Sequence, residues 1–221
     1  TGAVDPIEEL AGLCRAEDLW LHVDGAYGAA AALCVERMKQ QIGFADSLAL
    51  DPHKWLFQPI EIGCVLVRDG ALLARHFAMH AEYLDNLGAG KSYLEEGMQL
   101  TRGARALKLW MSLHIFGLDE FRAAIRRGIE IAEYVERRVW RSAVLEIATP
   151  AELGIVTFRA RGKDTDALMG ICNELRETGF AMLSTTRLKG ETVLRMCTIN
   201  PRTTNADIDE TLARIERLAA G

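Results

Sequence analysis

Two short apolar runs end on residues that chemistry can use. "WLHVD" delivers a carboxylate at Asp24, and "SLALDPHKW" delivers a primary amine at Lys54, two residues past Pro52. An amine can attack a carbonyl carbon and form an imine, and a carboxylate can keep a nearby ring nitrogen protonated. Lysines usually sit on solvated faces, so one placed at the end of a buried run calls for a reason. In open α/β sheets, ligands bind beyond the carboxyl ends of the strands, and neighbouring strands ending in Asp and Lys put an acid and an amine in one crevice. From these two positions alone a second reading stays open, in which the same residues form a structural ion pair at the rim of the sheet.

The surrounding pattern says what must hold these residues. Asp5-Pro6 with Glu8 reads as a helix start, with Asp5 at the N-cap, Pro6 at the first helical position and Glu8 two further on, giving a helix over 6 to about 15. Leu19, Leu21 and Val23 then alternate with Trp20, His22 and Asp24, which predicts a strand ended by Gly25. A helical stretch follows over roughly 29–41. "DSLALD" and "GCVLVRD" are nearly continuous apolar runs of the kind that suits strands buried on both faces. Helix and strand alternating in this way predict an α/β domain with a mostly parallel sheet.

Residues 68–100 are irregular, and a loop of that length in a compact domain is expected to be functional or mobile. From Arg102 a long helical pattern takes over, broken near "FGLDEF", with Phe121, Ile125, Gly128, Ile131 (or Ala132), Val135 and Val139 on one face. The remainder reads strand, strand, helix, strand, strand, helix: "VLEIAT", "GIVTFRA", 165–178, "FAMLST", "TVLRMCTIN" and a last helix from near Thr204. Thr204 and Asp207 stand in capping-box relation there, and Ile208, Leu212, Ile215 and Leu218 form the apolar stripe. Residues 1–101 are expected to belong to a large ligand-binding domain, and 102–221 to linking helices and a small α+β domain.

Bulk composition narrows the function. With 26 basic and 31 acidic residues and a formal charge of -5, no Lys or Arg run makes a nucleic-acid footprint. The five cysteines stand singly in apolar segments without CxxC or histidine at metal-ligand spacing, so they read as reduced core residues, and no metal site is expected. No apolar run approaches the ~20 residues that cross a bilayer, and the cytoplasm is the expected compartment.

Lysine capture of an aldehyde together with a carboxylate under a ring nitrogen is the pairing that pyridoxal phosphate chemistry uses, because the protonated ring is an electron sink. The local sequences carry this further. "LHVDGAYG", "FADSLALDPHKW" and "RALKLWMSLHIFGLDEF" resemble the pyridoxal-phosphate-dependent group II amino-acid decarboxylases, over essentially the whole chain. The resemblance implies the C-terminal part of a fold-type-I enzyme, a homodimer with a shared active site, pyridoxal 5'-phosphate as cofactor, and removal of the α-carboxylate of an amino acid, with an aromatic one as the guess from overall similarity.

Carried over by position, Lys54 matches the Schiff-base lysine and Asp24 the carboxylate under the pyridine nitrogen. Ala26 matches the small residue packed on one ring face, and His53 a histidine beside the lysine that contacts cofactor phosphate and substrate. Asp51 lies where many relatives have Asn or Asp near that phosphate. Tyr83 matches a tyrosine on the catalytic loop that supplies or relays a proton to the α-carbon after carbon dioxide leaves. Relatives with Phe at that place resemble aldehyde synthases. Other fold-type-I activities share Asp24 and Lys54, and a non-catalytic dimerisation fragment is the reading from a different class.

Several other features carry less. In "GAGKS" (88–92) the first glycine of a phosphate loop would fall at Asp85, with no strand before it. His22 shares a strand face with Asp24 but reads more simply as a core histidine. His76, His80 and His114 lack metal-ligand spacing, and Arg195 fits a salt bridge as well as a substrate carboxylate. Within the resemblance, a stacking histidine and the main phosphate-binding loop are expected before Thr1, so these 221 residues alone are expected to hold the cofactor weakly.

Overall fold

The structure, a computed structural model, describes residues 1–78 and 93–220. The chain divides into two compact units, Pro6–Gly117 and Leu118–Gly221, the latter joined by Thr1–Asp5.

In the first unit, α1 (Ile7–Ala16), β1 (His22–Asp24), a 3-10 helix (Gly28–Leu33), α2 (Glu36–Ile42), β2 (Ser47–Leu50), α3 (Pro52–Trp55), β3 (Cys64–Val67), α4 (Ala71–Phe77), a 3-10 turn (Tyr93–Glu96) and α5 (Arg105–Phe116) follow in order. The first helix starts one residue later than its sequence suggests. Pro6 has ψ 67°, outside the helical range, and no side chain caps it, so its carbonyl opens the helix by accepting from the Leu10 N–H at 3.0 Å. The stretch expected as one helix over 29–41 is split by Cys34 and Val35 into the 3-10 helix and α2. Within the irregular region, α4 is a helix that the sequence pattern did not suggest.

The sheet of this unit has the order β1-β2-β3. β1 and β2 are parallel, with His22 opposite Ser47 and Asp24 opposite Ala49, while β3 is antiparallel to β2. The expected mostly parallel sheet is therefore mixed in the described residues. The link from β2 to β3 holds only the single-turn α3 and has no crossover helix to return the chain in parallel. Nor is β3 buried on both faces, because Val65 and Leu66 are each 54% exposed.

In the second unit, α6 (Leu118–Trp140) precedes β4 (Leu145–Glu152), β5 (Ile155–Ala160), α7 (Thr165–Glu177), β6 (Ser184–Leu188), β7 (Glu191–Cys197) and α8 (Asn205–Ala220). The four strands form an antiparallel sheet ordered β4-β5-β7-β6. Helices α6, α7 and α8 pack with it into one core around Val135, Phe158, Leu194 and Ile215, all fully buried. Each such side chain contributes about 1.5–3 kcal/mol by leaving water. The buried stripe of α6 is Phe121, Ile125, Gly128, Ile131, Ala132, Val135 and Val139, as its 3.6-residue period predicts. Gly117 ends α5 with φ +81°, a conformation that a side chain resists, which separates the two long helices.

Two expectations shift here. "FAMLST" was expected as a strand, but β6 begins only at Ser184 and Met182 is 86% exposed. In α8, Leu218 faces outward, and Thr211 and Ala219 complete the buried stripe with Ile208, Leu212 and Ile215.

The capping box forms as read. Thr204 N–H and Oγ1–H both donate to Asp207 Oδ2, at 2.8 and 2.7 Å, and Asp207 N–H donates to Thr204 Oγ1 at 3.2 Å. These bonds hold the Asp207 carboxyl below its usual range. A carboxyl depressed in the folded state adds stability above its unfolded value and loses that contribution as pH falls through its folded value. Thr204→Ala is therefore expected to lower the thermal midpoint near neutral pH. Melting curves recorded down a pH series should show the gap to wild type narrowing as pH falls below the usual aspartate range and through the depressed folded value of this carboxyl.

Candidate active site

Because β1 and β2 run in parallel register, both deliver their carboxyl ends to the same edge of the sheet. The chain leaves β1 through Gly25, where a Cβ would lie 2.6 Å from Ala29 Cβ and 2.9 Å from Leu48 Cδ1. Such contacts do not occur for real side chains, so glycine lets the backbone turn tightly against β2. The turn places Ala26 where its N–H donates to Asp24 Oδ1 at 3.0 Å and its carbonyl accepts from the Asp51 N–H at 3.1 Å.

Asp51 in turn opens α3. Its backbone carbonyl accepts from the Lys54 N–H at 2.9 Å, and its carboxylate Oδ2 lies 3.0 Å from Lys54 Nζ and 3.8 Å from His53 Nε2. A continuous path of contacts thus joins Asp24, Ala26, Asp51, His53 and Lys54. In this structure the Asp51 carboxylate is the counterion of the Lys54 amine.

Two neighbours fix the geometry of this turn. Trp55, fully buried, stacks on Tyr27 with ring centroids 4.9 Å apart and planes 8° from parallel, which anchors α3. With Trp55 inside, Lys54 stays on the outer side of the single turn. On the other flank, His53 Nδ1 lies 2.7 Å from the Ile62 carbonyl. That oxygen can only accept, so the proton sits on Nδ1, and the longer 3.4 Å approach of the Ile62 N–H to the same nitrogen is secondary. Nε2 is thereby left on the side of Asp51.

The electrostatics leave the amine available. The Lys54 side chain is 42% exposed and Asp51 26%, so their ion pair sits in a solvent-screened setting worth about 1 kcal/mol or less. Burial pushes the thiol of Cys64, the register partner of Leu50, upward. It stays protonated and does not compete with the amine for a carbonyl.

The donor set fits one side of pyridoxal phosphate. An accessible amine is available to the aldehyde. At the end of β1, Asp24 is exposed, and its Oδ2 accepts no hydrogen bond among the described residues, which leaves it open to a protonated ring nitrogen. The methyl group of Ala26 adds little bulk beside it. Tyr83 and the 88–92 segment lie outside the described residues. Arg195 is on β7 in the second unit.

His22 departs from the core reading: it is exposed, with Nδ1 2.7 Å from Ser47 Oγ. Ser47 also takes the Trp20 Nε1–H at 2.8 Å. The sequence pattern marks neither Trp20 nor Ser47 as a partner of His22, although a serine opening an otherwise apolar run is a visible signal.

Two parallel strands thus bring Asp24 and, through α3, Lys54 to one edge of the sheet, and comparison with known proteins gives the class. The model of the pyridoxal-dependent decarboxylase conserved domain matches residues 1–161. The chain belongs to the pyridoxal-dependent decarboxylase family, whose cofactor is pyridoxal 5'-phosphate. It is 47% identical to an aromatic-L-amino-acid decarboxylase of Bacillus atrophaeus over 99% of this chain and 48% of the relative. Among solved structures, the Oryza sativa TDC with PLP and tryptamine superimposes with a TM-score of 0.86 at 26% identity, covering 99% of this chain and 48% of that one. The Rhodiola rosea 4-hydroxyphenylacetaldehyde synthase superimposes with a TM-score of 0.85, also at 26% identity, covering 99% and 47%. The chain spans about half the length of the curated relatives it matches.

Proposed function

We propose that this chain supplies the lysine and aspartate side of the active site of a pyridoxal-5'-phosphate-dependent amino-acid decarboxylase. The observation that carries the reading is the contact path from Asp24 through Ala26 and Asp51 to Lys54 and His53, in a chain of this family. The reaction converts an α-amino acid and a proton into carbon dioxide and the corresponding amine, and an aromatic side chain is the substrate class that the 47% identical relative supports.

Lys54 would hold the cofactor through its amine, and Asp24 Oδ2 would face the ring nitrogen. Ala26 would leave room for the ring, and His53 would contribute beside the amine. When bound, the cofactor supplies an electron sink for the pair released as the bond from the α-carbon to the carboxylate breaks. The Asp24 charge keeps that sink effective by favouring the protonated ring. Asp51 keeps a negative charge beside the Lys54 amine and steadies it whenever it is free. The Tyr83 phenol O–H is the proposed source of the proton that replaces the carboxylate.

Two further parts of the reading concern setting. Leu107, Trp110, Met111, Ile115 and Phe116 on α5 are exposed apolar side chains, which supports a homodimeric assembly. Five cysteines, all free, support the reducing conditions of a cytoplasmic enzyme.

Product analysis of Tyr83→Phe tests the chemistry. Amine formation is expected to fall by about 10²-fold, the scale of a lost proton donor, with aldehyde rising in its place under air, because oxidative deamination passes two electrons to dioxygen. Unchanged amine output from the variant would remove Tyr83 from the reaction. No carbon dioxide released from any member of an amino-acid panel by the full-length wild-type enzyme with added cofactor would remove the decarboxylase reading itself.

A further inference from the structure

Residues 56–63 join α3 to β3 without regular structure. Within them Phe57 has φ +57°, a left-handed conformation that a phenylalanine rarely adopts, so neighbouring contacts must hold the segment in place. Those contacts come from α3 and α5. The Gln58 N–H donates to the Pro52 carbonyl at 3.1 Å, and the buried Gln58 side chain donates to the Leu56 carbonyl at 2.8 Å and lies 3.2 Å from Ser112 Oγ. Further along, the half-buried Lys108 donates from Nζ to the Pro59 and Glu61 carbonyls at 2.9 and 3.0 Å. Arg105 donates to Glu61 Oε1 from Nε and from a terminal guanidinium nitrogen, at 2.9 and 2.6 Å. Arg105, Lys108 and Ser112 stand three and four residues apart, so one face of α5 carries all three.

The grip of Lys108 reaches the site through one peptide unit. The Glu61 carbonyl that it holds and the Ile62 N–H lie in the same peptide plane. Ile62, itself buried, is the residue against His53: its carbonyl takes the Nδ1–H at 2.7 Å, and its N–H lies 3.4 Å from the same nitrogen. Turning the Glu61–Ile62 plane would carry the Ile62 backbone away from His53, and the ring would lose the acceptor that keeps a proton on Nδ1. The other nitrogen, Nε2, lies 3.8 Å from Asp51 Oδ2, the same oxygen that pairs with Lys54 Nζ at 3.0 Å. Each link from α5 to the amine is therefore a contact, and the two bonds from the Lys108 ammonium are charge-assisted.

We propose that Lys108 is a positioning residue: by holding the Glu61–Ile62 peptide it keeps the Ile62 carbonyl on His53 Nδ1, and so presents His53 Nε2 beside the pair of Asp51 and Lys54. Its effect on turnover rests on the functional reading above, which leaves Lys108 without a role.

The test begins on the full-length protein without cofactor, labelled with 15N-histidine and held at about pH 8, above the ordinary histidine range. The His53 signals, identified by their loss in His53→Ala, should report a protonated Nδ1 and a bare Nε2. Lys108→Met removes the ammonium but keeps an apolar stem, and should turn this into a mixture of tautomers, while Lys108→Arg restores the single form. Turnover with cofactor should fall by about 10-fold in Lys108→Met, the scale of a lost charge-assisted hydrogen bond, and return in Lys108→Arg. In a His53→Ala background the same substitution should cost less than about 2-fold, because the lysine acts through the histidine. If Lys108→Met does not fold, Lys108→Gln gives the same two readouts. An unchanged His53 tautomer in the variant, or an equal loss of turnover with and without His53, overturns the proposal. If His53→Ala keeps wild-type turnover while Lys54→Ala loses it, the His53 role falls and this proposal with it. If Lys54→Ala keeps it as well, the functional reading itself falls and takes this proposal with it.

Discussion

Lys54→Ala is expected to yield a folded protein that no longer fixes pyridoxal 5'-phosphate: borohydride treatment followed by mass spectrometry adds the cofactor's mass to wild type and nothing to the variant. Catalytic turnover should drop by at least about 10³-fold, because the covalent anchor is lost outright rather than weakened. Folding should be nearly indifferent. The side chain is 42% exposed, its ion pair to Asp51 is worth about 1 kcal/mol or less, and the turn is held by Trp55 stacked on Tyr27 rather than by the amine. Melting curves within a few degrees of wild type would show this separation of function from stability. The other lysine of the first unit that lies past β2 and is described, Lys108, is committed elsewhere, donating to the carbonyls of Pro59 and Glu61 at 2.9 and 3.0 Å. Cofactor mass recovered on a peptide lacking Lys54 would show that the wrong amine has been assigned.

The strand ends were legible in the sequence because charge is conspicuous at the close of an apolar run. "HVD" and "SLALD" read directly as the elements that carry Asp24 and, through α3, Lys54. The long helix α6 was legible for a similar reason, since seven buried positions repeat at the helical period over 23 residues. What escaped was information held between segments. Nothing in "GCVLVRD" tells whether the strand returns parallel or antiparallel, because direction depends on what the link before it can span. The Asp51 ion pair was hidden as well: residue type suggested a neighbour of phosphate, whereas the single turn of α3 puts its carboxylate three residues from an amine. His22 looked like core because it sits in an apolar strand. Its exposure and its bond to Ser47 depend on the register of β1 with β2, which no local pattern encodes.

Asp24→Asn should separate binding of the cofactor from its chemical power. The amide has nearly the shape of the carboxylate and can still accept the Ala26 N–H through its oxygen, so the turn at Gly25 is preserved. What disappears is one negative charge. At about 4 Å and an effective dielectric constant near 20, a charge pair contributes about 4 kcal/mol, and each 1.4 kcal/mol corresponds to a factor of ten, so roughly 10³-fold of the electron-sink effect is expected to rest on this residue. The variant is expected to retain covalent attachment through Lys54, seen as cofactor mass after borohydride, while carbon dioxide release falls by roughly that factor. Asp24→Glu keeps the charge but moves it by one methylene, and should recover part of the loss. If Asn and Glu variants fall equally, position rather than charge governs the site. If Asn matches wild type, the ring nitrogen draws its proton from another group, and Asp24 is only the cap of the turn that its bond to Ala26 already makes it.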